Sequence, residues 1–119
     1  MMKNIILDTD FLINCIKFRI DFIEKIKDLC DFNVKFNIID KTLEELENKP
    51  NEKLIKQILE KKKVNIIKTN KDKKVDDLII DLVDENYIVA TQDKELKKRL
   101  KEKKIQIIII RQERYLVLK

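Results

Sequence analysis

Short aliphatic runs alternate along the chain with stretches in which apolar side chains recur every three or four positions. Brief β-branched runs predict strands, and the 3.6-residue periodicity predicts helices. Their alternation predicts an α/β fold with a parallel sheet. Asn4 to Leu7 reads as a first buried strand, followed by a helix with Phe11, Leu12, Cys15 and Ile16 on one face. Ile20, Ile23, Ile26, Leu29 and Cys30 continue that spacing as a second helix or a bent extension of the first. Val34 to Ile39 is a second strand ending at Asp40, Thr42 to Asn48 a short helix, and Leu54, Ile55, Ile58 and Leu59 mark a longer one after Pro50. Val64 to Ile67 is a third strand, and Lys68 to Lys74 a polar loop. Leu78, Ile79, Leu82 and Val83 form a helix capped by Asp76 or Asp77. Tyr87 to Thr91 is a fourth strand, Asp93 caps a helix over Lys94 to Lys104, and Ile105 to Ile110 is a fifth strand. Tyr115 to Leu118 adds a short edge strand.

In open parallel sheets, ligands bind beyond the carboxyl ends of the strands. Asp8 and Asp93 lie at or just past such ends, and Asp76 starts a helix, which places it on the same rim. Three acids distant in sequence are thus expected on one edge of the sheet. A helix cap explains Asp76 or Asp93 individually, and three Glu within Glu44–Glu47 ordinarily mark a solvated face. Only the joint arrangement points to a site.

Composition narrows the chemistry. The 119 residues suit one domain, 1–119, and include no His, Gly or Trp. Ser is absent as well. That excludes a Ser/His/Asp triad, a His acid–base and a Gly-rich phosphate loop, and leaves carboxylates with a metal ion. A net charge of +5 favours a polyanionic partner. The densest basic runs are Lys61–Lys63, Lys73–Lys74 and Lys97–Lys98–Arg99, the last two close in sequence to Asp76 and Asp93. Lys73, Lys74, Lys97, Lys98 and Arg99 are therefore candidate contacts to a polyanion, against the simpler reading of solvated helix faces. The Lys/Glu-rich, Gly-free composition with one Pro is what growth at high temperature selects, although biased base composition produces the same pattern. Cys15 and Cys30 fall in apolar helical patterns and are expected as buried thiols. No run resembles a signal peptide or a membrane span, so a cytoplasmic protein with no membrane association is expected.

Four segments carry a family resemblance: Ile6-Leu7-Asp8-Thr9-Asp10-Phe11-Leu12, Leu43-Glu44-Glu45-Leu46, Asp76-Asp77-Leu78-Ile79 and Ala90-Thr91-Gln92-Asp93-Lys94-Glu95-Leu96. In order and spacing they resemble the successive acidic motifs of PIN-domain nucleases. Within that superfamily the chain is most similar to small stand-alone archaeal proteins related to ribosomal-RNA processing nucleases and VapC-type toxins. The resemblance implies a three-layer α/β/α sandwich with a central parallel sheet of about five strands. It also implies a carboxylate cluster binding one or two Mg²⁺ or Mn²⁺ ions and hydrolysing RNA. Carried over by position, Asp8, Glu45, Asp76 and Asp93 are the catalytic acids, with Asp8, Asp76 and Asp93 as metal ligands. Glu45 is chosen over Glu44 because it precedes Leu46, and Asp76 over Asp77 from the register of Ile79 and Val83. Thr9, Asp10, Asp77 and Thr91 are supporting residues. Asp10 replaces the family's usual small polar residue, ligating through water or adding negative charge, and Thr91 is expected to orient Asp93 or a metal-bound water. A small antitoxin, a ribosome-assembly factor and a second copy of the chain are the partners implied besides RNA.

Two other classes compete. One is a catalytically silent PIN-like RNA-binding protein, which the complete acid set argues against. The other is an Asp-based phosphatase or phospho-acceptor domain, suggested by Asp8-Thr9-Asp10. It lacks the downstream Lys and paired Asp of such phosphatases, and Lys68-Thr69 follows the third strand where a receiver domain carries Asp.

Overall fold

The computed structural model describes residues 2–70 and 72–119. Lys71, inside the expected 68–74 loop, lies outside the described residues. The elements run β1 (Met2–Leu7), α1 (Thr9–Lys17), α2 (Phe22–Leu29), β2 (Asn33–Ile39), α3 (Asp40–Leu46) and α4 (Glu52–Lys61). They continue β3 (Asn65–Ile67), α5 (Val75–Leu82), β4 (Tyr87–Ala90), α6 (Lys94–Glu102), β5 (Gln106–Arg111) and β6 (Tyr115–Leu118). The strands form one sheet in the order β3-β2-β1-β4-β5-β6, parallel throughout except for β6, which pairs antiparallel with β5.

This order places a topological switch point between β1 and β4. From β1 the chain moves outward one way through β2 and β3, then returns to the other side of β1 through β4 and β5. Each half carries its helices on its own face. Ile5, Leu7, Ile38, Ile88 and Ile108 pack with α1 to α4 on one side of the sheet. Ile6, Ile39 and Val89 pack with α5 and α6 on the other. Alternate residues of a strand point to opposite faces, so β1 is apolar on both sides because both sides are covered. Each fully buried aliphatic side chain contributes about 1.5–3 kcal/mol. Phe11 meets Phe22 edge-on with ring centroids 6.4 Å apart, locking α1 to α2.

The periodic segment from Phe11 to Cys30 resolves into two helices. The break is at Arg19, whose φ is 58°, followed by Asp21 accepting from Glu24 N–H to cap α2. Arg19 N–H donates to Ile16 O and Ile20 N–H to Cys15 O, the paired bonds of a Schellman stop. The same pair recurs after α4, through Lys63 and Val64, and after α6, through Lys104 and Ile105. The left-handed position is normally glycine. A chain without glycine places Arg19, Lys63 and Lys104 there instead, at about 1–2 kcal/mol each.

Two expectations are corrected. Asp76 and Asp77 do not cap α5: the helix begins at Val75, with Lys74 in the cap position and its carbonyl accepting from Leu78 N–H. Asp76 therefore lies inside the first turn with its carboxylate unspent. The α3 helix also starts earlier than expected, at Asp40 directly after β2. Cys15 and Cys30 are free, buried thiols, as their helical spacing implies.

Candidate active site

An open cavity of about 420 Å³ lies beyond the carboxyl ends of β1 and β4, at the switch point. Asp8, Asp10, Glu45, Asp76 and Asp93 all line it, together with Thr9, Ile13 and Lys49. Four elements deliver the acids. Asp8 is the residue between β1 and α1, Asp10 stands in the first turn of α1, Glu45 in α3, Asp76 in the first turn of α5, and Asp93 at the cap of α6. The register Leu7↔Ala90 brings the end of β1 beside the end of β4, so the Asp8 amide donates to Ala90 O at 3.0 Å.

Asp8 is 5% exposed and is held on both oxygens. Oδ1 accepts from the Thr9 amide at 2.9 Å, and Oδ2 accepts from Thr91 Oγ1 at 2.7 Å. Thr91, wholly buried, accepts in turn from the Asp93 amide at 3.1 Å. Thr91 thus donates to the Asp8 carboxylate and meets Asp93 through its amide. The Asp93 carboxylate caps α6 through the Leu96 amide at 2.9 Å. Thr9 Oγ1 donates to Glu45 Oε1 at 2.5 Å, which turns Glu45 rather than the neighbouring Glu44 toward the cavity. Asp10 accepts from the Gln92 amide at 3.3 Å.

The electrostatics follow from crowding and burial. Burial, then the nearby Asp10 charge, pushes the Asp8 carboxyl up from 3.8 to about 8, against the lowering effect of its two hydrogen bonds. Asp76 is also raised, first by burial and then by Asp93 and Glu45, with Arg99 opposing. Among the described residues, Lys49 is the only cationic side chain that lines the cavity. Sequence reasoning did not single it out: α3 ends at Leu46, so no helical spacing links Lys49 to Glu45.

The other proposed contacts disperse. Asp77 pairs with Arg99 at 2.8 Å outside the cavity lining. Lys73 pairs with Asp81 at 2.6 Å, and Lys74 caps α5 with its backbone. Lys97 and Lys98 line a different cavity, with none of the five acids.

Among the described residues, no three acidic or cysteine side chains are arranged to hold a metal ion as they stand. The donor set itself fits a hard divalent cation: it is all oxygen, open to water, and includes the buried Asp8 carboxylate.

Fold and site together define a doubly wound α/β protein with an acidic pocket at its switch point. Within that class the chain belongs to the PIN-like domain family, whose model matches residues 5–113. It is 34% identical over 125 aligned residues to Ribonuclease VapC4 of Methanocaldococcus jannaschii, covering 96% of this chain and 95% of that one. It is similar in structure to the PIN domain endonuclease Utp24, with a TM-score of 0.85 and 26% identity, covering 98% of this chain and 90% of the other.

Proposed function

We propose that the protein is a metal-dependent endoribonuclease. The observation that carries this reading is the convergence of five carboxylates, one of them buried, on a water-accessible cavity at the switch point. Asp8, Asp76 and Asp93 would hold Mg²⁺ or Mn²⁺, with Asp10 within reach through water. The ion supplies Lewis acidity toward a phosphodiester oxygen and toward the attacking water. The remaining work falls to the chain. Thr91 and the Thr9 amide hold Asp8 in one orientation, so that ligand geometry needs no reorganisation during the reaction. Thr9 occupies Glu45 Oε1, leaving Oε2 to accept a proton from the water as it attacks phosphorus, while the bond from phosphorus to the leaving ribose oxygen breaks and that oxygen takes a proton from solvent. Lys49 offsets the repulsion between the incoming phosphate and the acids.

The similarity to a VapC ribonuclease over nearly the whole of both chains favours a toxin-type enzyme, cytoplasmic and restrained by a small antitoxin. The likeness to Utp24 supports ribosomal-RNA maturation, with an assembly factor as partner, as the second setting. The test is cleavage of single-stranded and structured RNA by the purified protein, with and without Mn²⁺ or Mg²⁺. Wild type cuts only with metal, and Asp8→Asn loses activity by about a hundredfold or more while folding normally. An Asp8→Asn protein that cuts at the wild-type rate, freed of contaminating nuclease, removes the proposal.

A further inference from the structure

A cavity of about 620 Å³, larger than the acidic one, is built almost wholly from lysine and isoleucine. Its floor is Ile105, Ile107 and Ile109; Lys97, Lys98, Lys101 and Lys104 line it from the α6 side, and Lys119 lies beyond β6. Among the described residues, no acidic side chain lines it. The topology explains the opening. On the face of the sheet that carries α5 and α6, α6 packs against β5, whereas the helix packed on β6 is α2, on the opposite face. Ile109 and Val117 are cross-strand partners, each half-buried, and belong to neither core cluster. Tyr115, two residues before Val117 and so on the same face, is 44% exposed. The aliphatic strip beside α6 is therefore uncovered, and its rim carries charge of one sign.

We propose that this cleft is the docking site for an acidic amphipathic helix of a partner protein. The helix lies beside α6, sets an aliphatic stripe on Ile107 and Ile109, and turns its carboxylates to the lysines. Both halves of the surface need satisfying. Aliphatic floor favours apolar anchors at helical spacing, and clustered ammonium groups favour carboxylates over neutral polar groups. A second copy of this chain fits badly, because a two-fold contact would place lysines against lysines. RNA fits less well, because the floor offers no aromatic ring on which a base could stack. The inference is independent of the nuclease reading, since the two cavities share no lining residue.

The test uses the full chain, ¹⁵N-labelled and in EDTA, titrated with a synthetic helix-forming peptide of Glu, Ala and Leu with leucines at i, i+3, i+4 and i+7. A scrambled peptide of the same composition and a single-stranded RNA oligomer are the comparisons. Amide shifts centred on Lys101, Ile107 and Ile109 are expected with the patterned peptide. Ile109→Lys, and separately Lys101→Glu/Lys104→Glu, should each weaken that binding by about tenfold or more. The double lysine variant alters only exposed side chains, keeps the fold, and retains wild-type RNA cleavage. Equal binding of the scrambled peptide, tighter binding of RNA at the same amides, or absence of shifts with the patterned peptide overturns the proposal.

Discussion

Thr91 Oγ1 donates to Asp8 Oδ2 at 2.7 Å across 83 positions of sequence, joining the carboxyl ends of β1 and β4 at the point where the sheet reverses its winding. Neither residue is solvent-exposed, so this bond sets the orientation of the most buried acid in the site. Thr91→Val keeps the shape and removes the donor. A lost partner of this kind costs about 10–100-fold in metal affinity or activity. The bond also lowers the Asp8 pKa, so its loss raises that pKa further and should shift the pH–rate profile toward higher pH. A pH–rate profile of the variant checks both, and an unchanged profile would show that Asp8 is oriented by something else.

Asp8 further predicts how stability depends on pH. Its carboxyl lies at about 8 when folded, against the ordinary 3.8. Between those values the folded chain holds a proton that the unfolded chain has released. Stability of the metal-free protein is therefore highest below the lower value and falls as pH rises through about 8. Asp8→Asn abolishes that fall and should be more stable than wild type near the upper end. Divalent metal must displace the same proton, so Mn²⁺ should raise the melting temperature more at about pH 8 than at about pH 6. Denaturant curves with and without Mn²⁺ at the two values decide it, and a wild-type protein that gains stability with rising pH contradicts the assignment.

Asp93 combines two roles that different substitutions separate. Its carboxylate caps α6 at Leu96 and lines the acidic cavity. Asn also caps helices, whereas Ala does not, at a cost of about 1 kcal/mol. Asp93→Asn should therefore hold near wild-type stability yet lose RNA cleavage, while Asp93→Ala loses both. Equal cleavage by Asp93→Asn and wild type would reduce Asp93 to a cap.

Lys63 tests the cost of a glycine-free chain. It sits at φ 55° after α4, away from both cavities. Lys63→Gly relieves a left-handed side-chain clash and should stabilise by about 0.5–1 kcal/mol, net of the added freedom of the unfolded chain. Chemical denaturation reads this directly, and a destabilised variant would mean that the lysine side chain contributes contacts that outweigh the strain.

Local pattern carried most of the architecture. The apolar runs at Ile5–Leu7 and Ile88–Ala90 correspond to strands because burial on both sheet faces demands unbroken aliphatic sequence. Asp8, Asp76 and Asp93 were legible as rim residues because parallel strands share one carboxyl edge. Other features had no local signature. The β5–β6 hairpin turns through Gln112 and Glu113, both at positive φ, where Asn-Gly would have announced it. Lys74 rather than an acid stands at the cap of α5. Residue order held the identities of the strands, helices and acids, because side-chain periodicity is a property of neighbours. The attachment of Thr91 to Asp8, the entry of Lys49 into the acidic cavity, and the removal of Lys97 and Lys98 to a separate cleft came from packing across the sheet. Those relationships join residues through space, where burial and repulsion act without regard to position along the chain.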